Sequence, residues 1–145
     1  MNKYLNFAIA TLAIFAASTA LARDSVQQFS IEDVLNKPEN VSRLAGVSFY
    51  FGDQQHPSIS KDFGVFKTNK KTNAFNKTDL EACNWAMASA LLQLHQRAQS
   101  LGANAVINIK SNYNNNEVSS TAEFTCGAGN TVAGVALIGT VVNIE

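Results

Sequence analysis

Residues 78–111 read TDLEACNWAMASALLQLHQRAQSLGANAVINIKS, and the change of period inside this stretch decides the fold. Thr78 with Glu81 three positions on is a capping box, the signature of a helix start. Good helix formers continue to Leu101, and Gly102 stands where a left-handed cap closes a helix. Leu80, Cys83, Met87, Leu91, Leu94, Ala98 and Leu101 recur at three- and four-residue steps, so this face is expected to be buried. Cys83 therefore points toward the core, Trp85 runs along the helix edge, and His95 is expected on the exposed flank. Past Gly102 the period becomes that of a strand. Ala105, Ile107 and Ile109 alternate with Asn104, Asn108 and Lys110, predicting a strand near 104–111.

Outward from this helix–strand junction, most segments read as β. Asn112–Asn116 is a turn-forming cluster tolerant of left-handed backbone. Residues 119–126 form a strand with Ala122, Phe124 and Cys126 on one face. Residues 132–144 are almost continuously apolar, as in a central strand covered on both sides, with Gly134 and Gly139 at close approaches. Upstream, 23–29 reads as a loose segment or an edge strand. Ser30-Ile-Glu-Asp33 caps a short helix over 30–36 that ends before Pro38, and 47–51 alternates as a half-buried strand. Residues 52–61 read as a loop, 63–67 as a further strand, and 67–77 (KTNKKTNAFNK) as a basic loop. The expected fold is α+β: one long helix on a mostly antiparallel sheet of about five strands.

The first 22 residues place the chain in a compartment. Lys3 follows the start, Phe7–Ala17 is an apolar run too short to span a membrane, and Ala20-Leu-Ala22 offers the small residues of a signal-peptidase site. Cleavage is expected before Arg23, leaving 23–145 as a single domain in the periplasm or the medium. No cysteine sits at the cleavage point, so no lipid anchor is implied. Eleven basic residues balance eleven acidic ones in the whole chain, and removal of Lys3 leaves one acid in excess. A near-neutral chain lacks the basic surface a nucleic-acid binder uses to displace counterions. Cys83 and Cys126 would face an oxidising compartment, where a lone pair is most simply a disulfide. Cys83 on a helix face and Cys126 on a sheet face of one core can meet. Closing a loop of about 44 residues would stabilise by about 4 kcal/mol.

Leu101-Gly-Ala-Asn-Ala-Val106 closing a helix, a following hairpin, and Leu137-Ile-Gly-Thr-Val-Val-Asn-Ile144 together resemble the sensor lipoprotein of the Rcs envelope-stress phosphorelay. They also resemble small bacterial proteins catalogued as heavy-metal-binding domains. Cys83 and Cys126 match in place and separation one of the two disulfides of that sensor. Ser111 and Leu137 stand where the second would be, and the lipid-bearing cysteine is missing, so the anchoring and signalling role does not carry over. A closer likeness is to an exported bacterial family of unassigned activity, some members of which bear the label "excinuclease ATPase subunit". That label implies a phosphate loop, G-x-x-x-x-G-K-[ST] before a helix, which this sequence lacks. Gly127–Gly134 is glycine-rich but lies between two strands with no lysine.

Few chemical constellations survive inspection. A Cys83–His95 dyad is excluded on one helix, because twelve residues separate the side chains by about 18 Å along the axis. Asp53 and His56 make half of a metal site at most, and a structural zinc site wants four ligands in close pairs. Glu32-Asp33 and Asp79/Glu81 sit in first helical turns, where the backbone itself favours negative charge. Lys67, Lys70, Lys71 and Lys77, with Phe75 among them, could contact an anionic envelope surface or an acidic partner. No cofactor is implied. The reading is a non-enzymatic exported envelope protein acting as an interaction module, against an alternative as a metal-binding or metal-responsive periplasmic protein. The exported protein should have a mass that begins at Arg23 and is lower by two hydrogens, as native non-reducing mass spectrometry would measure.

Overall fold

Residues 24–145 are described by the computed structural model; the expected leader and its cleavage site after Ala22 lie outside the described residues. The chain runs β1 (Asp24–Ser30), α1 (Ile31–Leu35), α2 (Pro38–Arg43), β2 (Ser48–Phe51), β3 (Ile59–Asn73) and α3 (Asp79–Ser100). It then continues through β4 (Ala105–Tyr113), β5 (Asn116–Val118), β6 (Glu123–Gly129) and β7 (Val132–Ile144). The fold is α+β, one long helix on a mostly antiparallel sheet of seven strands. Among the described residues no helix is long and apolar enough to cross a membrane.

β7 is the spine of the sheet. One of its edges pairs with β3 from Ile144 to Val132. Its other edge is divided: β4 takes the C-terminal part from Val142 to Leu137, and β6 takes Gly134 and Ala133. β6 then pairs with β1, and β4 with β2 in the one parallel pairing among the described residues. Where β4 and β6 part company, the Ser111 hydroxyl accepts the Thr125 N–H at 2.8 Å and stitches the two strands together. Ser111 is also the direct cross-strand partner of Leu137, so the two positions singled out by the resemblance are neighbours.

α3 begins as its capping box requires, with the Thr78 hydroxyl accepting from the Glu81 N–H, and Gly102 follows it at φ +72°. Ala82, Cys83, Ala86, Met87, Ala90, Leu91, Leu94 and Ala98 are fully buried against the sheet. Four alanines in that list allow close approach of helix to strands, and the longer side chains interdigitate with Phe124, Val135, Leu137 and Val141. Cys83 and Cys126 are joined as a disulfide with Cα atoms 5.9 Å apart, fixing α3 to β6.

Several expectations are corrected. The basic segment is strand rather than loop: β3 extends through Asn73, and the loop before it is correspondingly short. Residues 67–77 carry few apolar side chains, but β7 offers a complete edge, and backbone pairing needs no apolar pattern. Leu80, in the first turn of α3, is 49% exposed, because helical spacing gives direction but not the extent of the surface opposite. His95 is buried rather than exposed. An unforeseen helix, α2, starts at Pro38 in the first-turn position proline favours, and the segment after it covers that flank. The Ala45 carbonyl lies 2.8 Å from His95 Nε2. The alternation of Ala105, Ile107 and Ile109 also breaks. Asn108 at φ +50° inserts a bulge, so Val106 and Ile109 both enter the main core while Ala105 and Ile107 pack with Val142 on the other face. Gly139 makes room for this, since a Cβ there would lie 2.8 Å from Val106 Cγ1 and 3.2 Å from Ile109 Cγ1.

Replacing both cysteines by alanine should lower Tm by on the order of 10 °C, the loss expected for about 4 kcal/mol of loop constraint. Scanning calorimetry of the variant beside oxidised wild type measures it, and equal melting would refute a structural role for the bridge. Ser111→Ala strands the buried Thr125 N–H and should cost about 1–3 kcal/mol by urea denaturation.

Candidate functional site

The sequence-derived candidates are placed by β3 and the turn after it. By alternation along β3, Lys67 and Lys71 project from the sheet face away from α3, and both are exposed. Lys70 lies half-buried on the helix side, and Lys77 is held in the turn by donating to the Asn73 carbonyl at 3.0 Å. The four lysines therefore do not form one loop cluster. Lys67 and Lys71 stand about 13 Å apart along one face, given the rise of a strand. Phe75 is exposed beside them.

Lys71 leads to a cleft of ≈ 540 Å³ on the face opposite α3. Its lining includes Asn69 and Lys71 of β3, Tyr113 and Asn114 at the tip of the β4–β5 hairpin, Asn130 in the β6–β7 turn, and Asp24 at the start of β1. Gly127, Gly129, Gly134 and Ala136 are among its small residues. The geometry follows from small residues in register. Gly127 and Gly134 are direct cross-strand partners, so two adjacent positions of the sheet lack side chains. The Tyr113 ring fills that gap, and a Cβ on Gly127 would collide with its hydroxyl. Asn114 and Asn115, at φ +53° and +61°, make the tight turn that carries Tyr113 over the sheet.

The cleft suits non-covalent recognition. It offers one carboxylate, one ammonium, an aromatic wall and three amide side chains. Among the described residues, the side chains of Asn69, Lys71, Asn114 and Asn130 form no hydrogen bond. Its volume falls in the range of small-ligand sites, which combine an aromatic wall with a few polar groups. Sequence reasoning singled out Lys71 and the Gly127–Gly134 stretch separately and did not join them. Tyr113, concealed in a run of asparagines, carried no signal beyond turn propensity.

The remaining candidates fall elsewhere. Cys83 and Cys126 are fully buried and oxidised, far from nucleophilic use. His56 sits edge-on to Tyr50 with ring centroids 5.7 Å apart, and its Nδ1 lies 2.8 Å from the Pro57 carbonyl. Among the described residues there is no group of three or more His, Cys, Asp or Glu that could hold a metal ion. Trp85, 49% exposed, borders a small cleft with Lys37 and Arg43 of the α2 region. Compared with protein-family models, curated proteins and solved structures, the chain gives no match in any of the three.

Gly127→Ala should drive Tyr113 off the sheet and cost about 1–3 kcal/mol, the usual range for overpacking. Urea denaturation gives the cost, and a shift of the Tyr113 ring resonances in NMR reports the displacement; unmoved resonances would contradict the packing described.

Proposed function

We propose that this chain is a non-enzymatic protein exported to the bacterial envelope or medium, where it serves as an interaction module. The observation that carries the reading is the glycine-floored cleft beside Tyr113 and Lys71, whose polar side chains have no partners within the described chain. A fully buried disulfide supports an oxidising compartment, since such bonds persist there and are rare in the cytosol. The anionic contact expected of the four lysines narrows to Lys67 and Lys71, which share the face of the cleft.

A photo-reactive residue in place of Asn114, introduced in the native host, tests this directly. The expected result is one discrete adduct in the envelope fraction, lost on Lys71→Glu, and none from a matched probe at Val41, an exposed residue of α2. Equal labelling at both positions would reject the cleft as the contact. Stoichiometric metal in the protein purified from its host would instead favour the metal-binding alternative.

A further inference from the structure

β3 presents an unused strand edge. Its register with β7 is continuous from Val65↔Thr140 to Asn73↔Val132, and the next residue, Ala74, donates its N–H to the Thr131 carbonyl at 2.9 Å. In an antiparallel ladder, hydrogen-bonded and non-bonded pairs alternate. Phe66, Thr68, Lys70 and Thr72 thus bond to β7, while Lys67, Asn69, Lys71 and Asn73 turn their N–H and C=O groups outward. Lys77 confirms the parity by reaching the Asn73 carbonyl from outside, which closes that end of the edge. Among the described residues no other segment pairs with β3.

A groove of ≈ 260 Å³ runs between this strand and α3, lined by Phe66, Lys67, Thr68, Leu94, Arg97 and Ser100. The Arg97 guanidinium lies over the Phe66 ring, 5.0 Å from its centroid. Thr68 is 5% exposed, and its hydroxyl has no hydrogen-bond partner. The charged residues lining the groove, Lys67 and Arg97, are both basic. Residues 63–78 and 82–101 contain no Asp or Glu, while they hold Lys67, Lys70, Lys71, Lys77 and Arg97.

We propose that the β3 edge and the β3–α3 groove bind an extended acidic polypeptide segment by strand addition. The proposal rests on the interaction-module reading and uses the β3 edge, whose Asn69 and Lys71 also border the Tyr113 cleft. Main-chain bonds to Lys67, Asn69 and Lys71 supply the pairing, as in other edge-strand recognition. Side chains of the added strand alternate: those toward the groove meet Phe66 and Leu94, and those on the opposite face meet Lys67 and Lys71. A second copy of this chain fits poorly, because β3 against β3 sets lysine beside lysine, and like charges on neighbouring strands repel. A flat anionic lipid surface would meet the lysines but leave the edge N–H and C=O groups unpaired.

The test uses a fluorescein-labelled acetyl-(Val-Glu)4-amide probe and the purified protein with its disulfide intact. Saturable binding is expected by anisotropy, with slowed amide exchange at Lys67, Asn69 and Lys71. Affinity should fall at least tenfold when alternate probe residues are N-methylated, which removes pairing donors without altering charge. Asn69→Pro, which deletes an outward N–H that β7 does not use, should weaken it similarly, as should Lys67→Glu, a residue outside the cleft lining. Tyr113→Ala, which removes the aromatic wall of the cleft and touches no β3 edge group, should leave it unchanged. Equal affinity for the N-methylated probe would overturn strand addition. So would self-association in sedimentation that protects the same amides, or binding of phosphatidylglycerol vesicles in place of the peptide. Cleft adducts at position 114 that persist beside such a failure would leave the broader reading standing.

Discussion

The arrangement depends on both edges of β7 being used. β3 occupies one edge throughout, and β4 and β6 divide the other between them. This thirteen-residue strand, paired on both edges, is apolar and buried over most of its length. The division also has a structural consequence. Two strands that share one edge must diverge, so their backbone groups near the fork need substitute partners. The Ser111 hydroxyl supplies one by accepting the Thr125 N–H, and Thr125 in turn bonds through its side chain to Gln28 of β1. The disulfide then ties the β6 branch to α3, which itself packs on β7, so separating the two branches would also peel α3 from the sheet.

The same division generates the candidate site. Beyond the fork, β4 continues into the hairpin with β5 instead of following β7, and its tip brings Tyr113 over the Gly127–Gly134 pair. A side chain at either glycine would compete with the ring, so the missing side chains and the tyrosine form one packing unit. Candidate site and fold share residues here: the glycines that could be taken for a nucleotide loop instead accept an aromatic ring. The polar rim from Asn69, Lys71 and Asn114 surrounds that unit.

Beside α3, α2 and the chain after it account for two buried polar residues, Asn40 and His95. Asn40 donates to the Val34 carbonyl at 2.7 Å, and so supplies a partner at the end of α1. The Ala45 carbonyl meets His95. These contacts turn a flank of α3 that would otherwise face water into interior, and they do so with amide and imidazole groups rather than apolar ones. Lys110 and Glu117, 3.9 Å apart across the β4–β5 hairpin, remain partly exposed and contribute little beyond orientation.

What the sequence determined by itself was local and periodic. The caps at Ser30 and Thr78, the stop at Gly102, the asparagine turn, the enclosed 132–144 strand and the facing of Cys83 and Cys126 into one core are each set by neighbours within a few residues. The tertiary structure decided what depends on a distant partner. Residues 67–73 are strand because β7 had an edge to fill, which no pattern in KTNKKTN records. Leu80 is exposed and His95 buried because of where the sheet ends and the α2 segment lies. Ile107 and Ile109 face opposite ways because of the bulge at Asn108, for which Gly139 leaves room. The Tyr113 cleft arises where the β4–β5 hairpin crosses the glycines of β6 and β7. Short-range steric and capping energies are encoded at each residue, whereas register, edge occupancy and burial are properties of pairs far apart in the chain.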